Sequence, residues 1–309
     1  MLGESSTGSP PPPALGASAL PPGTFDGEVV LVTGGGTGLG LAVALEFGRL
    51  GASLVLASRA EGHLEAGAEA LSAIGAPVAT VPCDIRDSEA VATAFDAATA
   101  AGADWFGDPR LPGVLVNNAA ANFPSPAEDL SPNAWRTVVD ITLNGTFLCS
   151  REFARRHLAA GTPASILNVA ASYAWTGGPG FAHSAAAKAG VVNLVETLAV
   201  EWGPAGIRVN GLVPGLMPHE DMTADIRASL DRTPDLDARQ PAMRVGEPRE
   251  LGWAATFLAS PFARFVSGHT MVVDGANWQR RTLTSPPVVP IREQMGLDRF
   301  DPDIGVGRG

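Results

Sequence analysis

Apolar residues follow two alternating patterns along this chain. Short unbroken runs of β-branched and aliphatic side chains read as buried strands. Longer stretches with apolar positions every three or four residues read as helices. Glu28–Thr33 (EVVLVT) is the first strand, and Leu39–Leu50 is the helix after it. Strands follow at Ser53–Ala57, Val78–Val81, Val114–Asn117, Ser165–Val169, Arg208–Leu212 and Thr270–Val273. Helices fill the intervals at 61–73, 88–101, Pro132–Leu158, Ala182–Trp202 and 247–259. Strands of four to six residues separated by helices imply parallel pairing through right-handed crossovers. The pattern predicts an α/β fold, a single doubly wound parallel sheet of about seven strands with helices on both faces.

Three segments fall outside this rhythm. Residues 215–246 form a long, charged, Pro-containing insert of the kind that makes a lid over a ligand. Residues 1–24 carry Pro, Gly, Ser and Ala without periodicity. They cannot bury enough apolar surface to offset the entropy of ordering, so they read as a disordered tail. Residues 281–309 mix Pro, Gly and charge and read as a C-terminal arm, which leaves 25–280 as the folded domain.

Composition removes several classes of function. The 309 residues are 45% hydrophobic, enough for a sizeable core. A net charge of −11 with no run of Lys or Arg argues against nucleic acid and against an anionic membrane surface. Cys83 and Cys149 both sit in apolar or helical patterns, which suits a reduced, cytoplasmic protein with no disulfide frame and no Cys-based zinc site. No secretion signal and no membrane-length apolar run are visible. Two singletons matter for chemistry: the chain has one lysine, Lys188, and one tyrosine, Tyr173.

The first strand runs directly into Thr33-Gly34-Gly35-Gly36-Thr37-Gly38-Leu39-Gly40. Glycines between a strand and a helix let the backbone turn tightly and approach a pyrophosphate at the helix N-terminus. The spacing is TGxxxGxG, and no Gly-Lys-Ser/Thr follows, so a P-loop is excluded. About twenty residues on, NAD sites place an acidic residue for the ribose 2′-hydroxyl. Here Ser58-Arg59 stands instead, a pair able to hold a 2′-phosphate, so NADP(H) is favoured. The alternative for Arg59 is a solvated residue at a helix start.

Further polar candidates lie at other strand ends. Asp84 and Ile85 follow the third strand and Asn117-Asn118-Ala119 ends the fourth, with Asp84 placed to accept from an adenine amino group and Asn118 to brace the central strands. Pro214-Gly215 follows the sixth. His63, His157, His183, His219 and His269 show no paired metal spacing, so no metal site is expected. The absence of G-x-S-x-G excludes an α/β-hydrolase elbow.

Residues 27–280 resemble the short-chain dehydrogenase/reductase superfamily in TGGGTGLG, CDIRD, NNA, Lys188 and Pro214-Gly215. The resemblance implies a Rossmann-type fold and a homotetramer. It also implies a catalytic Tyr four residues before the Lys, a Ser thirteen before that Tyr, and an Asn in an N-x-x-G turn. This chain departs at three of those four positions: Ser184 stands for the Tyr, Ala171 for the Ser, and Thr142 for the Asn. Only the lysine is kept, and an aliphatic hydroxyl is too weak an acid to replace a phenol. Tyr173 instead lies fifteen residues before Lys188, just after the fifth strand.

The altered set is similar to the NADPH-dependent 2,4-dienoyl-CoA reductases of mitochondrial type, in NNAAANF (Asn117–Phe123), LSPNAW (Leu130–Trp135), LNGT (Leu143–Thr146) and Tyr173 to Lys188 with Ser184 between. That resemblance implies hydride delivery to C5 of a conjugated acyl thioester, carried on CoA or an acyl carrier, and a dienolate that water protonates at C2. Tyr173 and Asn122 would donate to the dienolate oxygen, Ser184 would link the network, and Lys188 would hold the nicotinamide ribose. Other readings stay open: a trans-2-enoyl thioester reductase, a carbonyl reductase, or an idle NADP(H)-binding protein. Tyr173 as a packing residue and Asn122 as an Asx-turn are the structural alternatives.

Overall fold

In the computed structural model, residues 8–14, 16–222, 224–279 and 290–297 are described. The strands are β1 (Val29–Thr33), β2 (Ser53–Ser58), β3 (Val78–Pro82), β4 (Val114–Asn117), β5 (Ala164–Val169), β6 (Ile207–Pro214) and β7 (Thr270–Val273). The longer helices are α1 (Gly38–Arg49), α2 (Glu61–Ala73), α3 (Ser88–Phe106), α4 (Pro132–Val139), α5 (Gly145–Ala160), α7 (Ala182–Trp202), α8 (Ala224–Asp231) and α9 (Pro248–Ala259). Two single-turn helices, α6 (Tyr173–Thr176) and α10 (Ile291–Gln294), complete the set.

All seven strands form one parallel sheet in the order β3-β2-β1-β4-β5-β6-β7, as the sequence pattern predicts. Strand periodicity divides the core. Val30 and Val32 of β1 face Phe47, Leu54, Leu251 and Leu258, on the side covered by α1, α2 and α9. Val29 and Leu31 face Val55, Phe95, Phe153 and Val195, under α3, α5 and α7. Both faces are therefore buried, and strand residues read as continuous apolar runs rather than alternations. Winding reverses between β1 and β4. Their following loops diverge and open a crevice at the carboxyl ends of the strands.

Three elements depart from their expected extents by more than one residue at an end. α3 continues to Phe106 through Gly102, where a Cβ would lie 2.8 Å from Arg110 O, and ends at Gly107, whose φ of 83° lies in the left-handed region. β6 runs two residues further, to Pro214, which carries its end to the crevice. The helix expected over Pro132–Leu158 is two helices, α4 and α5, joined by a π-helical turn at Asp140–Asn144. A Cβ on Gly145 would lie 2.6 Å from Ile85, so glycine is what lets α5 begin against the loop leaving β3.

The insert 215–246 carries α8 and is closed at its base by the Gly246 N–H donating to Leu216 O at 2.9 Å. Among its described residues, the Pro-rich segment before β1 contains no helix or strand but finds partners that composition does not reveal. Arg244, Arg249 and Trp253 donate to the carbonyls of Pro10, Pro13 and Ala17. Proline carbonyls accept as well as any others, and the donors come from the insert and α9. In the C-terminal arm, Arg292 of α10 pairs with the buried carboxylate of Asp129, and Ile291 packs over Gly180. The expectations for residues 1–7, 15, 223, 280–289 and 298–309 lie outside the described residues. Among the described residues, no helix is long and apolar enough to cross a membrane.

Phe47 is fully buried beneath β1 and meets Phe25 edge-on at 4.9 Å between ring centroids. Phe47→Ala is expected to cost about 3–5 kcal/mol of unfolding free energy, measured by urea denaturation.

Candidate active site

The crevice is framed by hydrogen bonds between the two central loops. Thr33 Oγ1 accepts from the Asn118 and Ala119 N–H groups at 3.1 and 3.2 Å. The Asn118 amide donates to Gly34 O at 3.0 Å and to Thr33 O at 3.3 Å, so Asn118 braces β1 to β4. Beneath it, the buried Asn117 amide donates to Ser150 Oγ and Asn168 Oδ1, tying β4 to β5 and α5.

The glycine loop is packed too closely for side chains. A Cβ on Gly40 would lie 2.2 Å from Gly34 O, and one on Gly36 would lie 2.2 Å from the His63 carbonyl oxygen. Gly34 and Gly38 have φ of 62° and 53°. Thr37 is the N-cap of α1 yet caps nothing with its side chain, so the first N–H groups of the helix face the crevice unclaimed. Leu39 turns the other way and packs against the core. The cradle suits a pyrophosphate, because backbone can approach it and the helix dipole favours its charge.

Ser58 and Arg59 end β2 beside this loop. Arg59 is exposed and forms no ion pair among the described residues. Asp84 is committed differently from the expectation. Its carboxylate is gripped by the Arg86 guanidinium through both oxygens, which holds its pKa below the usual range. Ile85 is buried against α5. Gly215 N–H donates to Val273 O at 2.9 Å, fixing Pro214-Gly215 at the far side of the crevice.

Tyr173, Asn122 and Ser184 lie together beside the crevice. The phenol oxygen lies 3.0 Å from Ser184 Oγ, and the Asn122 amide donates to it at 3.4 Å. Phe181 stacks parallel to the Tyr173 ring at 6.3 Å, and Gly178 leaves room for its Cβ. Burial pushes the phenol pKa up, and the Ser184 contact only partly offsets this, so the hydroxyl keeps its proton at neutral pH. One turn beyond Ser184 on the same face of α7, Lys188 is buried and donates to Val169 O at 2.5 Å. Desolvation pulls its pKa down to about 8.

Four contributors went unread in the sequence. Thr142, in the π-helical turn, accepts from the Ala121 N–H at 3.2 Å and fixes the backbone next to Asn122. Arg86 takes Asp84. His219 and Asp221, from the insert, lie on the glycine loop. The altered N-x-x-G position pointed to Thr142, but nothing in the sequence brought the insert to Gly38. Among the described residues, no group of three or more His, Cys, Asp or Glu is placed to hold a metal ion.

Residues 34–276 match the family described as enoyl-(acyl carrier protein) reductase. A probable 2,4-dienoyl-CoA reductase, (2E)-enoyl-CoA-producing, of Bacillus subtilis is 38% identical over 81% of this chain and 96% of its own length. The chain belongs to the short-chain dehydrogenase/reductase superfamily. The peroxisomal 2,4-dienoyl-CoA reductase, (3E)-enoyl-CoA-producing, of Mus musculus is 36% identical over 87% of this chain and 92% of its own. In three dimensions, a putative 2-deoxy-D-gluconate 3-dehydrogenase from Agrobacterium tumefaciens with bound NADP superposes with a TM-score of 0.74. It is 31% identical and covers 84% of this chain and 99% of that one. With the glycine cradle and the free Arg59, this makes the chain an NADP(H)-dependent oxidoreductase of the superfamily.

Lys188 carries a pH signature. Its folded pKa of about 8 lies below the usual 10.5, so the folded state resists a proton that the unfolded state still binds. That penalty is complete below pH 8 and fades as pH rises to 10.5, so stability rises across this window. Lys188→Met removes the penalty. Its unfolding free energy relative to the natural protein should therefore fall by about 2–3 kcal/mol from pH 8 to 10.5, read by urea titration at each pH. A pH-independent difference would mean that Lys188 is solvated.

Proposed function

We propose that this enzyme reduces a 2,4-dienoyl-CoA to the 3-enoyl thioester. The reading rests on one observation, the Tyr173 hydroxyl 3.0 Å from Ser184 Oγ with the Asn122 amide at 3.4 Å. These are neutral donors converging on one point, with no strong acid among them. Bound NADPH supplies a hydride to C5 of the substrate. Charge then runs through the conjugated system to the thioester oxygen, and that oxygen needs donors more than the carbon needs an acid. Tyr173 donates its hydroxyl proton in a hydrogen bond to the dienolate oxygen, and the second N–H of Asn122 is free to do the same. Ser184 donates into the phenol oxygen. A dienolate carries most of its carbon-centred charge at C2, so solvent protonation there gives the 3-enoyl product.

In this reading the backbone of Gly34, Gly36, Gly38, Leu39 and Gly40, with Thr37, surrounds the pyrophosphate, and Ser58 and Arg59 hold the 2′-phosphate. Asp84, Ile85, Asn118 and Ala119 line the adenosine side. Pro214-Gly215 bounds the nicotinamide side, and Lys188, with two donors beyond its Val169 bond, holds the ribose. The insert 215–246 serves as the substrate lid, and the protein works as a cytoplasmic homotetramer. A trans-2-enoyl thioester reductase is the second reading, favoured by the family description that the chain matches.

NADPH oxidation with a short 2,4-dienoyl-CoA, a trans-2-enoyl-CoA and a 3-ketoacyl-CoA separates the readings. Turnover should be confined to the dienoyl substrate, with a product that enoyl-CoA hydratase does not hydrate. Preference for the 2-enoyl or ketoacyl substrate would overturn the proposal. Tyr173→Phe should lower kcat about 100- to 1,000-fold and leave the NADPH dissociation constant within twofold of the natural protein. Unchanged turnover would remove the phenol from the mechanism.

A further inference from the structure

The insert after β6 does more than border the substrate side. It lies on the glycine loop. Thr37, at the N-cap of α1, has the extended backbone of a capping residue, with φ −146° and ψ 169°, but its hydroxyl does not turn back to the helix. It donates to Asp221 Oδ2 at 2.7 Å, across 184 residues of sequence. At the next position the space where a Gly38 side chain would stand is filled from the same segment. A Cβ there would lie 2.8 Å from His219 Nδ1 and 3.1 Å from Asp221 Cβ. His219 Nδ1 is shielded from solvent with no hydrogen-bond partner among the described residues. A carboxylate and an unpaired imidazole nitrogen thus occupy the mouth of the cradle.

The charges make this arrangement specific. The N-terminus of the 12-residue helix α1 carries a partial positive charge and unclaimed N–H groups, which favour an anion. Asp221 supplies one. Among the described residues no ion pair holds Asp221: the Arg227 guanidinium donates to the Glu220 carbonyl, and burial lowers the His219 pKa. A dinucleotide pyrophosphate belongs at the same helix end and wants the same Thr37 hydroxyl. Two anions a few ångströms apart repel, so the carboxylate and the pyrophosphate compete for the cradle.

We propose that Asp221 is a built-in stand-in for the cofactor pyrophosphate. It holds the insert on the glycine loop through the Thr37 hydroxyl and must give way when NADPH docks, so it sets cofactor affinity. Displacement also frees the Thr37 hydroxyl and brings His219 Nδ1 a phosphate oxygen as partner. The inference rests on the pyrophosphate position proposed above and is independent of which acyl substrate is reduced.

The test is calorimetric titration of NADPH, and of 2′-AMP as a probe without a pyrophosphate, into the natural protein, Asp221→Asn and Asp221→Ala. Asp221 is exposed, and circular dichroism checks that the variants keep the fold. Both variants should bind NADPH about tenfold more tightly, a gain of about 1.4 kcal/mol. Binding of 2′-AMP should stay within twofold. Detectable NADPH binding only in the variants would support the proposal in its strongest form. NADPH binding unchanged or weakened in both variants would overturn it, and so would an equal gain for 2′-AMP, which would mark a general field effect. No NADPH binding by any of the three proteins would overturn the cofactor site as well.

Discussion

The Asn122 amide and the Ser184 hydroxyl both meet a single phenol oxygen, and the hydrogen bonding of the site turns on that contact. A tyrosine hydroxyl has one proton to give. If it gave that proton to Ser184, it would have nothing for a substrate. The Asn122 amide can only donate to it, and Ser184 Oγ, 3.0 Å away, can donate as well. When both do, the phenol proton is free to point into the crevice, and each bond strengthens the donor beyond it. Burial prevents the alternative of ionisation, since it raises the phenol pKa. The result is a hydrogen-bond donor that keeps its proton at neutral pH.

That geometry is held from outside the site. Asn122 lies on the loop after β4 and Tyr173 on the turn of helix after β5, so neither is fixed by its own strand. The two loops are joined where Ser125 N–H donates to Gly180 O at 2.8 Å. Thr142 anchors the first loop to the π-helical turn, and Arg292 clamps its far end through the buried Asp129. A buried carboxylate is tolerated only with a partner, so the ion pair ties the C-terminal arm to this rim.

The layer structure was legible in the sequence because parallel strands buried on both faces leave long β-branched runs, and the helices between them carry clean periodicity. The glycine loop, Asn118 and the meeting of Tyr173, Asn122 and Ser184 were legible too. They sit at strand ends or on one helix face, where topology alone fixes their position. What sequence could not show depends on distance rather than period. Asp84 reads as a free acceptor until Arg86, two residues on, folds back over it. The π-helical turn costs one extra residue inside an otherwise ordinary helical pattern, so its period is masked. The insert has no strong periodicity, and its landing place on Gly38 is set by tertiary packing across the sheet.

The sequence also explains why the site tolerates so much desolvation. Lys188 is the only lysine, and its buried ammonium donates to Val169 O, its one hydrogen-bond acceptor among the described residues. Nearby, Asn122 Oδ1 and His183 Nε2 are buried without partners among the described residues. Each of these lowers the stability of the folded chain, because a polar group removed from water loses more than one protein contact returns. A core packed for stability alone would place methylenes there. The sheet beneath supplies the compensation, since β1, β2 and β4 are apolar and almost wholly enclosed. Polar groups already stripped of water need little rearrangement when charge develops beside them, and in a dry crevice each donor acts at a low effective dielectric. The same burial that weakens the fold at Lys188 and Tyr173 is what makes their hydrogen bonds count.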